Sequence, residues 1–143
     1  LVGDGPDRSE CERLARDLDI HKDVVFLGKQ DGLAEILNAA DLFLMPSQSE
    51  SFGLSALEAM ACGVPVVSSS VGGLPELNIH NETGYISEIG DIDRMAKYAV
   101  ELLTNEKRYK SFSKNSRERA VKNFDKNLIV PKYVAYYEKV LNS

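Results

Sequence analysis

Short, continuously apolar runs alternate with stretches of helical spacing along the first two-thirds of this sequence, and this alternation constrains the fold most strongly. The apolar runs occupy residues 1–2, 24–27, 42–45 and 64–67. Strands that are apolar at every position are covered on both faces, which is typical of a parallel sheet packed between helices. The pattern therefore predicts an α/β fold with a doubly wound parallel sheet and right-handed crossovers.

Helices are predicted between these runs. Residues 11–18 and 33–40 place apolar side chains at helical spacing. Residues 52–62 are apolar almost all round, so this helix is expected to be largely buried, and Gly63 is well placed to end it. Ligands of such sheets bind beyond the carboxyl ends of the strands. The loops in which we expect a site are therefore residues 3–6, 28–31, 46–51 and 68–75.

The C-terminal third is predicted to be helical. Asp91 is a suitable N-cap for a first helix, and a second helix is expected over about residues 106–123. Pro131 is expected to kink or delay a third helix. One face of that third helix carries an aromatic and apolar stripe, which we interpret as packing rather than as a ligand site. The stripe consists of Tyr133, Tyr136, Tyr137 and Val140.

Composition and charge disfavour several classes of function. A chain of 143 residues, 43% of them hydrophobic, can bury the core of one globular domain. Its net charge of −5 disfavours general nucleic-acid binding, and no apolar stretch reaches the ~18 residues of a membrane span. Cys11 and Cys62 are expected to be buried thiols of a cytoplasmic protein, and His21 and His80 are too isolated to form a metal site.

Residues 50–58 follow one predicted strand and open a helix. The N–H groups and dipole of a helix start suit a diphosphate, and Gly53 allows a ligand to approach the backbone closely. The Glu50 carboxylate can accept hydrogen bonds from sugar hydroxyls. Glu58 lies about 12 Å further on if the whole segment is helical, and its carboxylate suits a ribose diol. These features predict a phosphate site with a carboxylate on either side.

A purely structural role for the same residues is the alternative. Ser51 would then be an N-cap, Glu50 an acid that complements the helix dipole, and Glu58 a solvated residue. Glu58 favours the binding interpretation, because a carboxylate within an otherwise apolar helix needs a partner or a cleft.

Five motifs follow one another along the chain, at residues 2–6, 25–28, 50–67, 71–76 and 83–85. Their order resembles retaining glycosyltransferase family 4. The match is dense over about residues 1–90, and beyond it only the general helical pattern is shared.

The resemblance implies a GT-B fold, in which two Rossmann-like domains face each other across a cleft. Residues 1–143 resemble part of the C-terminal domain, which binds the nucleotide sugar, and we expect the acceptor-binding N-terminal domain to be absent from this stretch. The resemblance further implies a UDP-sugar donor, retention of the anomeric configuration, no metal and no other cofactor. Residues 27–31 resemble more specifically the family members that catalyse the first step of bacillithiol synthesis. This narrower resemblance implies UDP-N-acetylglucosamine as donor and L-malate as acceptor.

The resemblance also implies roles for individual residues. Glu50 would contact the hydroxyls of the donor sugar, as the catalytic residue of this stretch, and Glu58 would hold the ribose. Gly72 and Gly73 would either contact the donor or only shape a turn. The other donor-binding residues would be Ser51, Phe52, Gly53 and Leu54 near the diphosphate and sugar, Lys29 and Gln30 near the base, and Gly3 at the end of the first strand.

The chain opens at Leu1 in what resembles the end of a buried strand, so we expect it to be part of a longer protein. In the family, an Arg and a Lys that stabilise the leaving diphosphate precede this stretch, so the chain alone is expected to be inactive. Missing sheet elements would leave apolar edges uncovered, and we therefore expect either a distorted edge or a homo-oligomer.

Two other classes remain open. A nucleotide-sugar epimerase shares the fold but lacks this spacing of two acids, and a non-catalytic nucleotide- or protein-binding module is compatible with the acidic surface. A dinucleotide-dependent oxidoreductase fits poorly, because Gly3 and Gly5 are not followed by the third glycine of its fingerprint. The expected partners are a nucleotide sugar and a small-molecule acceptor, with neither nucleic acid nor an integral membrane contact.

Overall fold

The computed structural model describes residues 1–142. It divides into two compact units, Leu1–Leu33 and the chain from Ala34 onward. The helices and strands agree with the predicted α/β class and with a helical C-terminal tail.

The first unit contains helix α1 (Arg8–Asp17) and an extended segment at residues 24–27. The predicted helix at residues 11–18 is confirmed and begins three residues earlier. Residues 24–27 were predicted to form a strand covered on both faces. This prediction is wrong, because Val25 is 62% exposed and Leu27 is 42% exposed. The segment is instead joined to the start of the chain by backbone hydrogen bonds, from the Leu1 amine to the Val25 carbonyl (2.7 Å) and from the Leu27 N–H to the Leu1 carbonyl (2.9 Å).

The second unit is built on a three-stranded parallel sheet in the order β1 (Phe43–Met45), β2 (Val66–Ser69) and β3 (Gly84–Ser87). In the register, Leu44 lies opposite Val67, and Val67 lies opposite Tyr85. The parallel sheet is confirmed. Strand β2 is buried at all four positions, as expected for a central strand between helices.

Within the described residues, six helices begin at Leu33 or later. Helix α3 (Leu54–Ala61) ends just before Gly63, as predicted, and Gly63 has a φ of +78°. The N–H of Gly63 donates to the Met60 carbonyl and that of Val64 donates to the Ala59 carbonyl, both at 2.9 Å, which is the Schellman pattern of helix termination. The six are α2 (Leu33–Asn38), α3 (Leu54–Ala61), α4 (Leu74–Leu77), α5 (Ile92–Thr104), α6 (Glu106–Phe124) and α7 (Lys126–Leu141).

The core of the second unit lies between β2, β3 and helices α5 and α6. Val67, Tyr85, Leu102 and Phe112 form one buried cluster. Helix α5 begins as predicted, because the Asp91 carboxylate accepts a hydrogen bond from the Arg94 N–H at 3.1 Å.

Helix α7 starts before Pro131, which lies inside it, so the proline does not delay the helix, and a kink at Pro131 stays a prediction. Two expectations about burial are wrong. The predicted packing stripe on α7 is exposed, with Tyr133, Tyr136 and Tyr137 at 61%, 64% and 62%. Periodicity identifies the apolar face of a helix but not the element that covers it. Cys11 is exposed rather than buried.

Candidate functional site

The candidate site lies at the carboxyl ends of the parallel strands, as the fold class predicts. Strand β1 ends at Met45 and helix α3 begins at Leu54, so residues 46–53 form the connection that carries the predicted phosphate site. Strand β2 ends at Ser69, and the turn after it, at residues 70–73, packs against this connection.

Glu50 is folded onto the start of helix α3. One carboxylate oxygen, Oε1, accepts hydrogen bonds from the N–H of Ser51 (3.0 Å) and the N–H of Gly53 (3.2 Å). The N-cap of α3 is Gly53 and no side chain caps it, so the alternative in which Ser51 is the N-cap is wrong. That alternative also made Glu50 an acid that complements the helix dipole, and the observed contacts of Glu50 agree with this role.

The hydrogen bonds of Glu50 leave the first turn of α3 available. The first N–H groups of a helix, here those of Leu54, Ser55 and Ala56, have no acceptor within the helix. They also lie at the positive end of the helix dipole. An anion at this end of α3 would therefore meet the backbone donors of Leu54 and Ser55, which Glu50 does not occupy, whereas Ala56 is completely buried.

Glycines allow the backbone to fold tightly around this turn. Gly53 has a φ of +95°, and a Cβ there would lie 2.5 Å from Leu74 Cδ2. A Cβ on Gly72 would lie 1.6 Å from the Glu50 carbonyl oxygen, and one on Gly73 would lie 2.9 Å from the Phe52 Cα. Close contacts with other atoms of the same chain therefore account for all three glycines. For Gly72 and Gly73, this geometry favours the turn-shaping interpretation over donor contact.

Glu58 lies on the exposed face of α3. Within residues 1–142 its carboxylate makes no hydrogen bond or ion pair, so the argument that it needs a buried partner does not hold. The separation of about 12 Å was expected only for a continuous helix, and this condition does not hold, because α3 begins after the left-handed Gly53. Only the step from Leu54 to Glu58 is helical, a rise of about 6 Å. Glu58 is thus one turn beyond the helix start and free to accept hydrogen bonds.

The opposite face of α3 is buried. Ala56, Ala59 and Met60 have no exposed surface, whereas Leu54 is 66% exposed. The prediction of a largely buried helix therefore holds for one face only. Burial of that face fixes the helix axis and leaves Leu54 and Glu58 on the surface.

The remaining predicted donor-binding residues lie in the first unit. Gly3 has a φ of +112°, and its N–H donates to the Gly28 carbonyl at 2.8 Å. Gln30 donates through Nε2 to the Leu27 carbonyl at 2.7 Å, and Lys29 is exposed. Their loops are accessible to a ligand, and their roles stay predictions.

Sequence reasoning missed a set of buried polar residues behind the site. The amide nitrogen of Asn78, which is fully buried, lies 3.1 Å from the Val66 carbonyl, 3.1 Å from Ser68 Oγ and 2.9 Å from the Tyr85 carbonyl. Its oxygen accepts a hydrogen bond from the Thr83 hydroxyl at 3.0 Å. The sequence did carry a signal for this network, because β2 ends in two serines whereas its first two residues are apolar.

A second polar cluster joins α5 and α6 to β3. The Tyr85 hydroxyl donates to Glu101 Oε1 at 2.8 Å, and Arg108 donates to the same hydroxyl at 2.5 Å. Burial, followed by the hydrogen bond to Glu101, raises the pKa of Tyr85 above its ordinary value. Tyr85 therefore stays neutral at physiological pH, and the cluster has a structural role.

The fold and the placement of the site define a class of protein. The family model for glycosyl transferases group 1 matches residues 1–119, and the chain belongs to this family. Its structural neighbours are glycosyltransferases of the GT-B fold.

Individual relatives give a finer comparison. The chain is 45% identical over 141 residues to N-acetyl-alpha-D-glucosaminyl L-malate synthase of Bacillus anthracis, covering 99% of this chain and 37% of that enzyme. It superposes with a TM-score of 0.93 and 33% identity on sucrose-phosphate synthase of Thermosynechococcus elongatus, covering 99% of this chain and 38% of that one.

A further solved structure, HepE of Anabaena in complex with UDP and glucose, matches with a TM-score of 0.93 and 26% identity. The match covers 97% of this chain and 40% of HepE. The chain thus spans less than half the length of these relatives. No helix in residues 1–142 is both long and apolar enough to cross a membrane.

Proposed function

We propose that these residues form the donor-binding part of a retaining, family 4 glycosyltransferase that transfers N-acetylglucosamine from UDP-N-acetylglucosamine to L-malate. The proposal rests mainly on the turn at the start of α3, where Glu50 binds the N–H groups of Ser51 and Gly53 and leaves the first helical turn free. The 45% identity to the L-malate synthase of Bacillus anthracis supports the choice of donor and acceptor.

The chemical task at this site is to stabilise a leaving diphosphate. Negative charge develops on the diphosphate oxygen as the bond to the sugar breaks, and pre-oriented donors lower the barrier most where that charge appears. The unpaired N–H groups of the first turn of α3 and the positive end of its dipole are suited to this task. We propose that they bind the diphosphate without a metal ion.

The two acids would hold the hydroxyl groups on either side of the diphosphate. A carboxylate has about four acceptor positions, so Glu50 can keep its two backbone hydrogen bonds and still accept from sugar hydroxyls. Glu58 is exposed and one turn further along α3, and we assign the ribose diol to it. In this proposal Gly3 also contacts the donor, and Lys29 and Gln30 lie near its base.

We expect transfer to require more than these 143 residues. All the candidate residues serve the donor, whereas transfer also requires an acceptor hydroxyl held next to the anomeric carbon. We therefore expect that donor binding can be measured separately from turnover by comparing the 143-residue chain with the natural full-length protein.

The test uses the natural full-length protein with UDP-N-acetylglucosamine and L-malate, with EDTA present. The expected result is N-acetylglucosaminyl malate in the α configuration, identified by the anomeric coupling constant in NMR. UDP-glucose and GDP-mannose serve as competing donors. A β product, a requirement for added metal, or epimerised sugar without transfer would refute the proposal. Turnover by the 143-residue chain alone would refute the division of roles.

A further inference from the structure

One side chain from outside the site loop holds it in place. The loop spans residues 46–53, between β1 and α3. The hydroxyl of Ser69, at the end of β2, donates to the carbonyl oxygen of Ser47 at 2.5 Å and lies 3.4 Å from that of Met45. Among the residues described, 1–142, no other side chain from outside the loop donates a hydrogen bond to it.

Ser69 is a polar residue in an apolar place. It is 1% exposed and follows Val66 and Val67, which are completely buried. A hydroxyl in such a position costs stability unless it is hydrogen-bonded, and the acceptors of Ser69 are carbonyls at the start of the loop. The neighbouring Ser68 has a different role, because its oxygen accepts from the Asn78 amide.

The loop is also held at its other end. The N–H of Gly73 donates to the Ser51 carbonyl at 3.1 Å, and Gly72 approaches the Glu50 carbonyl closely. Ser47 and Ser51 lie on either side of Glu50 in the sequence. The end of β2 and the turn after it therefore fix the backbone before and after the acid, and Ser69 supplies the fixed point before it.

We propose that Ser69 is a positioning residue for the donor sugar. Its hydroxyl fixes the start of the loop so that Glu50 and the first turn of α3 are pre-organised before the donor arrives. Pre-organisation of a binding group reduces the ordering that a ligand has to induce, and small displacements at such sites have large effects on binding and rate. This proposal rests on the proposed function of the same site.

The chain offers a matched control for the test. Ser69→Ala and Ser68→Ala remove the same atom from adjacent, buried positions of one strand, but only Ser69 contacts the loop. Ser69→Thr keeps the hydroxyl. The natural full-length protein is measured in two ways: hydrogen exchange of the amides at residues 47–53 without ligand, and kcat and KM for UDP-N-acetylglucosamine.

For Ser69→Ala we expect loop exchange about tenfold faster and a donor KM raised about fivefold or more, as the loss of one ordinary hydrogen bond suggests. Ser68→Ala and Ser69→Thr should keep wild-type values in both measurements. If Ser69→Ala does not fold, Ser69→Thr is compared with Ser69→Val, which has nearly the same shape without the hydroxyl, and the same differences are expected.

Unchanged loop exchange in Ser69→Ala, or equal effects of Ser69→Ala and Ser68→Ala on exchange and KM, would overturn the proposal. Its failure is distinguishable from failure of the proposed function. If the wild-type protein does not use or bind a UDP-sugar, the proposed function is wrong, and the exchange measurement still decides whether Ser69 holds the loop.

Discussion

The loop at residues 46–53 and the helix α7 differ in an instructive way. The loop has no regular secondary structure, yet Ser69, Gly72 and Gly73 fix it through a buried hydroxyl and close backbone contacts. Helix α7 is regular over sixteen residues and buries none of them. Regular hydrogen bonding within an element therefore says little about how firmly that element is held by its neighbours. In this chain the irregular segment is the better anchored, and it carries the candidate site.

The largest effect is expected from breaking the contact behind the loop. Gly72→Ala places a Cβ 1.6 Å from the Glu50 carbonyl oxygen, so the loop or the turn has to move. Overpacking against backbone should lower the free energy of unfolding by more than about 3 kcal/mol. Gly90→Ala is the control, because Gly90 also has a positive φ but its Cβ would meet no atom within 4 Å. Urea denaturation of both variants measures the difference, and equal losses would contradict the account.

The next effect is expected from Asn78, whose buried side-chain amide joins β2 to β3. Asn78→Ala leaves the Val66 and Tyr85 carbonyls and the Ser68 hydroxyl without their buried donor. Unpaired buried polar groups should lower the free energy of unfolding by about 2–4 kcal/mol. Asn127→Ala on α7, where the side chain is exposed, is the comparison and should change stability little. A loss below about 1 kcal/mol in Asn78→Ala would show that the network is dispensable.

A smaller, pH-dependent effect is expected for Tyr85→Phe. The pKa of Tyr85 is raised in the folded protein, so the folded state holds the phenolic proton more tightly than the unfolded state. This contribution to stability is complete below the unfolded pKa of about 10 and is lost as the pH rises through the folded value. Denaturation between pH 7 and 11 should show a steeper fall for the wild type than for Tyr85→Phe. Parallel curves would contradict the predicted coupling.

The smallest effect is expected on α7. Tyr136 is 64% exposed, so Tyr136→Ser in the 143-residue chain should change the free energy of unfolding by less than about 0.5 kcal/mol. Chemical denaturation of this variant, compared with Gly72→Ala, gives the contrast between the two regions directly. A loss above about 2 kcal/mol would show that α7 is packed more firmly than its exposure indicates.

The sequence predicted those features that depend on local pattern. The continuous apolar run at residues 42–45 located β1, the apolar segment at residues 52–62 located α3, and Gly63 and Asp91 marked helix ends correctly. Because ligands of parallel sheets bind at the strand ends, the same pattern also located the candidate loop. Each of these inferences requires only residues that are close together in the chain.

The sequence did not predict features that depend on distant residues. The support of the loop by Ser69 and the approach of Gly72 to Glu50 join residues about twenty positions apart, and neither residue type is unusual by itself. The burial argument for Glu58 was wrong because the apolar residues around it lie on the opposite face of α3. The stripe on α7 indicated an apolar face, but its packing depends on a partner that the pattern does not specify.

We propose that the start of α3 binds the diphosphate while Glu50 contacts the sugar and Glu58 the ribose. Calorimetric titration of UDP and of UDP-N-acetylglucosamine into the natural full-length protein, Glu50→Ala and Glu58→Ala tests it most directly. We expect Glu58→Ala to weaken the binding of both ligands about tenfold or more, as the loss of a bidentate carboxylate contact suggests, and Glu50→Ala to weaken the binding of the UDP-sugar several-fold more than that of UDP. Unchanged UDP binding in Glu58→Ala, or equal weakening of both ligands in Glu50→Ala, would contradict it.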